Sequence, residues 1–247
     1  GEALVEVPLA GPAEVEEAVA RAEAAREGWR RTSPEARGAI LYKLADLLIQ
    51  NQKEFGRMAA LDGGTPLMQG ERGVETAVSW MRYYAGWCDK LTGDLMSTFD
   101  TRGEFSYSVP EPIGIVGIIN TWNGPLIGMG MKVSPALAAG NCVILKPAEI
   151  TPFAPELFAR CCKEAGIPDG VISVLPGTGE AGDAIVRHPK VRKISFTGGP
   201  ITARKILTAA AEQIKPSVME LGGKSASLVF PDCDLQAAAE RAVFWTI

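Results

Sequence analysis

The sequence predicts an α/β fold: an open parallel sheet of about five strands with helices on both faces, preceded by helices and a β-hairpin arm. Three observations carry this. Beyond residue 112, short apolar runs alternate with helical segments of roughly a dozen residues. Before residue 90, apolar residues recur at helical spacing, and between 90 and 109 the period changes to strict alternation.

Pro12 at a first-turn position, followed by Glu14, Glu16 and Glu17, opens a helix whose Val15, Ala18, Val19, Ala22 and Trp29 share one face. Ser33-Pro34-Glu35 repeats the start signal ahead of Ile40, Leu41, Leu44, Leu47 and Leu48. A Gly63-Gly64-Thr65-Pro66 break separates these helices from a third, striped by Val74, Val78, Met81, Ala85 and Cys88. Each stripe reads as a core face. Next, Phe105, Tyr107 and Val109 alternate along one side of a ribbon whose turn is Asp100-Thr101-Arg102-Gly103. A two-stranded ribbon is marginally stable alone, so this arm is expected to pack on a partner chain or another segment. The strands follow at 113–119, 142–145, 171–175, 194–196 and 218–221. Their near-continuous apolar character argues for a parallel sheet covered on both faces, with ligands at the carboxyl ends of its strands. The chain thus divides into N-terminal helices (1–89), the hairpin (90–109) and the sheet region (110–247).

Composition narrows the function. Twenty-five Lys and Arg against 29 Asp and Glu give a net charge of -4, without the basic excess that nucleic-acid binding demands. No apolar run approaches a membrane span, and the first nine residues lack the order of a signal peptide, so a cytoplasmic protein with no membrane partner is expected. Five cysteines, none in a Cys-x-x-Cys, indicate neither a disulfide framework nor a zinc site, and no metal is expected. The single histidine, His188, reads as a helix-end residue.

The strand ends carry the chemistry. Gly177-Thr178-Gly179-Glu180-Ala181-Gly182 matches the dinucleotide-binding fingerprint, yet the next strand runs into Thr197 and Gly198 where a ribose-binding carboxylate belongs. The loop is either a modified phosphate turn or simply a tight strand-to-helix connection. Phe196-Thr197-Gly198-Gly199-Pro200 also links strand to helix and offers bare backbone N–H groups to a pyrophosphate. Lys146 and Glu149 close another strand, as ribose contacts or as solvated strand-end charges. Asn123, in Trp122-Asn123-Gly124-Pro125, is a turn residue or a donor to a developing oxyanion. Glu220, between an apolar run and Gly222-Gly223-Lys224, is a general base with a raised pKa or an acid paired to a cation.

Together, Trp-Asn-x-Pro, Lys-Pro-Ala-Glu, Phe-Thr-Gly and Glu-Leu-Gly-Gly-Lys, in this order, resemble the aldehyde dehydrogenase superfamily from about Val5 to Ile247. The resemblance implies a Rossmann-like cofactor domain, a hairpin used for homo-oligomerisation, and oxidation of an aldehyde to a carboxylic acid with NAD, or with NADP. It makes Asn123 the oxyanion donor and Glu220 the general base. Lys146 and Glu149 become the adenosine-ribose contacts, and Glu149 favours NAD by repelling a 2'-phosphate while Lys146 leaves NADP open. Thr197, Gly198 and Gly199, with Phe196 and Ile119 at their strand ends, border the pyrophosphate and nicotinamide. Trp122 forms part of the cofactor wall, Leu221 and Gly222 approach the nicotinamide, and the loop of Gly179 lies near the adenine.

Two residues depart from the family pattern: Thr121 stands where Pro usually precedes Trp-Asn, and Gly199 where Ser is usual. The family's nucleophilic cysteine falls beyond Ile247 at its usual spacing from Glu220, and Cys233 lies too close to Glu220 to replace it. The expectation is therefore a cofactor-binding portion that lacks the catalytic domain, does not turn over alone and self-associates through uncovered apolar surface. A non-catalytic nucleotide-binding or structural module is the alternative, and an enzyme using the Gly177–Gly182 loop directly is a third.

Overall fold

The structure is a computed structural model, and it describes residues 5–96 and 103–244. Four helices come first: α1 (Pro12–Arg31), α2 (Pro34–Gln50), α3 (Gln52–Gly63) and α4 (Leu67–Ala85). The start signals act as expected. The Gly11 N–H donates to the Glu14 carboxylate at 2.8 Å, and Ser33 Oγ accepts from the Ala36 N–H at 3.2 Å. One expected helix is in fact two, because Asn51 Nδ2 donates to the Leu47 carbonyl at 2.9 Å and the chain restarts at Gln52. The apolar stripe runs on through Phe55 and hides that break.

The arm contains an antiparallel pair, β1 (Leu95–Met96) with β2 (Ser106–Tyr107). Of its expected turn, residues 100–102 lie outside the described residues. A five-stranded parallel sheet follows, built from β3 (Ile115–Ile119), β4 (Cys142–Lys146), β5 (Ile172–Val174), β6 (Val191–Gly198) and β7 (Ser217–Leu221) in the order β5-β4-β3-β6-β7. Between them run α5 (Pro125–Ala138), α6 (Phe153–Ala165), α7 (Gly179–Arg187) and α8 (Pro200–Ala211), and α9 (Leu235–Phe244) comes last. The first strand starts two residues later than its apolar run, after Gly114 at φ +119°, a backbone setting that L side chains rarely adopt. β6 is longer than its apolar run, since the polar Arg192 and Lys193 belong to it.

Helices α1, α7 and α8 pack on one face of the sheet, while α5 and α6 cover the other, backed by α2, α3 and α4. Strands β3 and β4 are buried throughout, as their unbroken apolar runs require. β7 forms an edge and is mostly exposed. His188 caps the C-terminus of α7, with Nε2 3.0 Å from Glu16 of α1. No helix of the described residues is long and apolar enough to cross a membrane.

Candidate functional site

The sheet order reverses direction between β3 and β6, and the carboxyl ends of these two strands define the crevice where open α/β sheets bind ligands. Strand register decides which residues meet there. Ile119 stands beside Lys146 on one side and Phe196 on the other, while Thr197 pairs with Glu220 and Gly198 with Leu221. Residues from three separate motifs are thus brought abreast along one sheet edge, beside the strand that leads into the fourth.

Lys146 is buried at the end of β4. Its ammonium donates to the Pro147 carbonyl at 2.8 Å and to the Gly177 carbonyl, and Glu149 lies 3.6 Å away with its carboxylate exposed. Burial holds the lysine pKa below its ordinary value, and the charge of Glu149 partly offsets this. Lys146 and Glu149 stand side by side, and the buried lysine, which is no solvated strand-end charge, also links the β4 and β5 loops.

The glycines of the fingerprint loop have distinct reasons. A side chain at Gly177 would meet the Ala10 carbonyl at 2.7 Å, where the N-terminal segment bridges to this loop. Gly182 faces Lys146 Cδ and Ile119 Cδ1 at 3.6 and 3.7 Å. Gly179 opens α7 into free space, with Thr178 as N-cap accepting from the Glu180 N–H at 3.3 Å. Packing therefore accounts for Gly177 without any phosphate, while a Cβ at Gly182 or Gly179 would fit.

At the next turn, a side chain on Gly198 would lie 2.4 Å from the Phe196 ring, which folds back over it. Gly199 is the N-cap of α8, with nothing within reach of an added Cβ, so the backbone there is bare at a helix N-terminus. Gly222 and Gly223, past β7, are equally open. Bare backbone at the N-terminus of α8, next to the switch point, suits a phosphate group.

Trp122 and Asn123 lie in the exposed loop between β3 and α5. Glu220 is exposed too, and no ion pair joins it to Lys224 among the described residues. Its carboxylate borders an open side of the sheet, because β7 is an edge strand and the described residues after it are exposed. Sequence reasoning missed Lys132 of α5, whose Nζ donates to Ser195 Oγ at 2.8 Å. Burial lowers the Lys132 pKa, and the charge of Glu220 opposes that shift. Lys132, Ser195 and Glu220 line a cavity of 500 Å³ together with Trp80, Tyr84 and Val218. Helical periodicity gave no signal for it, since Lys132 reads as an ordinary polar position.

An open parallel sheet in this order, with its polar loops gathered at the switch point, defines the doubly wound, Rossmann-like class of α/β protein. The chain belongs to the aldehyde dehydrogenase family, whose model matches residues 1–247. It is 43% identical to phenylacetaldehyde dehydrogenase of Pseudomonas fluorescens, over 98% of this chain and 50% of that protein. Among solved structures, it superposes on succinate-semialdehyde dehydrogenase from Burkholderia pseudomallei with a TM-score of 0.95 at 38% identity, covering 99% of this chain and 51% of that one. The NAD+ complex of the Bacillus cereus aldehyde dehydrogenase gives a TM-score of 0.92 at 38% identity, over 97% and 49%. The chain thus spans about half the length of these relatives.

Proposed function

We propose that this chain provides the dinucleotide-binding part of an NAD(P)-dependent enzyme that oxidises an aldehyde to a carboxylic acid. The observation that carries this reading is the register that sets Ile119, Lys146, Phe196 and Glu220 along one edge, one loop from Asn123. In it, Lys146 and Glu149 hold the adenosine ribose. The backbone of Thr197, Gly198 and Gly199 faces the pyrophosphate, and the loop of Gly179 lies near the adenine. Trp122, Leu221 and Gly222 border the nicotinamide. Bound NAD+ would supply the two-electron acceptor.

The chain's own contribution to the chemistry is electrostatic and acid–base. The Asn123 amide donates to the oxyanion that develops on the aldehyde carbon's oxygen, and Glu220 takes a proton from the water that releases the acid. Cys88, Cys142, Cys161 and Cys162 are buried, with thiols pushed up by burial, which suits packing and not attack on a carbonyl. The nucleophile is accordingly assigned to polypeptide that the relatives carry beyond this segment. Glu149 favours NAD, since its carboxylate at the ribose would repel a 2'-phosphate. The exposed apolar residues of the arm, Leu95, Met96, Phe105, Tyr107 and Val109, support its use as a homo-oligomer contact.

Titration of the purified chain with NADH and NADPH, followed by fluorescence, tests the binding half of this reading. Saturable binding, tighter for NADH, is expected, with no aldehyde oxidation by the chain alone. A polypeptide of the relatives' length that contains this segment and oxidises no aldehyde in a broad screen would overturn the catalytic half.

A further inference from the structure

Asn120 is the one polar residue that ends the buried run of β3, and its side chain is only 5% exposed. Its backbone N–H donates to the Lys146 carbonyl at 2.9 Å, the last tie to the sheet before the Trp122-Asn123 loop. Its side-chain Nδ2 donates to the Pro125 carbonyl at 2.9 Å, in the first turn of α5. One amide therefore joins the point where the loop leaves the sheet to the point where it enters the helix. The donor in this bond is fixed, because a carbonyl can only accept.

Helix α5 is shaped to receive that amide. A side chain on Gly128 would lie 2.3 Å from Asn120 Oδ1 and 2.6 Å from Nδ2, so only glycine lets the helix sit against it. The arrangement is not what packing alone would select. Asn120 Oδ1 has no hydrogen-bond partner among the described residues, although burial without a partner is unfavourable for a polar atom. An apolar residue there would serve the core better. Thr121 also leaves φ free where a proline would fix it, and no hydrogen bond holds the Asn123 side chain among the described residues.

We propose that Asn120 is a positioning residue for Asn123: by clasping the ends of the β3–α5 loop, seated against Gly128, it holds the Asn123 amide where the oxyanion forms. This rests on the role assigned to Asn123 under the proposed function. The mechanism is purely geometric, and a displacement of about 1 Å at such a donor is enough to slow turnover by up to about a hundredfold.

The test has two arms. In an active polypeptide of the relatives' length, Asn120→Ala is expected to lower kcat roughly tenfold while KM for NAD+ stays within about twofold. The same substitution in an Asn123→Ala background should cost nothing further, as residues acting through one group are not additive. Equal losses in both backgrounds, or wild-type kcat in Asn120→Ala, would overturn the proposal. The second arm needs no turnover: in the present chain, Asn120→Ala should speed amide hydrogen exchange at 121–124 by about tenfold or more, leaving β3 unchanged. Unchanged exchange there refutes the clasp. A polypeptide inactive before any substitution refutes the aldehyde reading instead, and the exchange arm still decides the clasp. Should Asn120→Ala not fold, Gly128→Ala, which keeps the amide but displaces it, carries the same expectations.

Discussion

The buried ammonium of Lys146 donates to the carbonyl of Gly177, thirty-one residues further along the chain, and so couples the loop after β4 to the loop after β5. A residue that reads from sequence as a ligand contact is also a structural tie. Lys146→Met keeps the stem but leaves the carbonyls of Pro147 and Gly177 without their donor. It is expected to cost about 1–3 kcal/mol in urea denaturation and to weaken NADH binding, since both loops border the crevice. Unchanged stability with lost binding would make Lys146 a contact only.

Glu149 tests the cofactor preference separately. Its carboxylate is half-exposed, so although Glu149→Gln removes a charge that supports buried Lys146, it should cost little stability, under about 1 kcal/mol. Removing the repelling charge should shift the NADH-to-NADPH affinity ratio toward NADPH by about tenfold, or about 1.4 kcal/mol. Paired titrations of wild type and variant measure this directly.

Close helix packing gives a prediction on stability. An added Cβ at Gly130 of α5 would lie 2.7 Å from the Ala77 Cα of α4, against backbone that cannot swing aside. Gly130→Ala should therefore destabilise the chain by about 1–3 kcal/mol. Gly179→Ala, which meets open space at the start of α7, should be neutral or slightly stabilising. It should also leave NADH binding intact, whereas an enzyme relying on the fingerprint loop would lose it.

The cysteines predict both reactivity and pH dependence. Only Cys233 is exposed among the five, so a thiol reagent should modify one cysteine rapidly in the native chain and all five after unfolding. Burial pushes the Cys142 and Cys161 thiols up to about 11, from an ordinary 9.0. The unfolded thiols ionise first as pH rises, so their contribution to stability is fully present below pH 9 and is lost as pH climbs toward about 11. Denaturation midpoints across that window should fall less steeply in Cys142→Ala than in wild type.

Legibility followed the physics of each element. Strands β3 and β4 were readable because burial on both faces demands unbroken apolar runs, as in 142–145. The end of α2 was not, because an amphipathic stripe persists across Asn51 while a side-chain hydrogen bond decides the break. At the site, glycines and polar residues at strand ends marked Lys146, Thr197 and Glu220 in advance. Their mutual placement depends on register between strands distant in sequence, such as Thr197 with Glu220, which only the folded sheet supplies. Asn120 escaped notice because one polar residue after an apolar run looks like an ordinary turn residue, and its value depends on a glycine in the following helix.

The uncovered side of the sheet predicts association. Val218, Leu221, Leu228, Val229 and Phe230 are exposed on or after edge strand β7, a surface that favours pairing between copies. Sedimentation of the chain should show mass increasing with concentration. A sharp monomer at high concentration would rule this out.

Every fully buried apolar side chain of the described residues falls between Val15 and Ala210. Residues 211–243 add no fully buried apolar side chain to it, and Met219 of β7 is only partly buried against it. With synthesis running from the N-terminus at roughly 5–20 residues per second, the core has time to settle before the edge strand β7 is made. Pairing of β7 is then the last step in building this sheet, made on a scaffold that already exists.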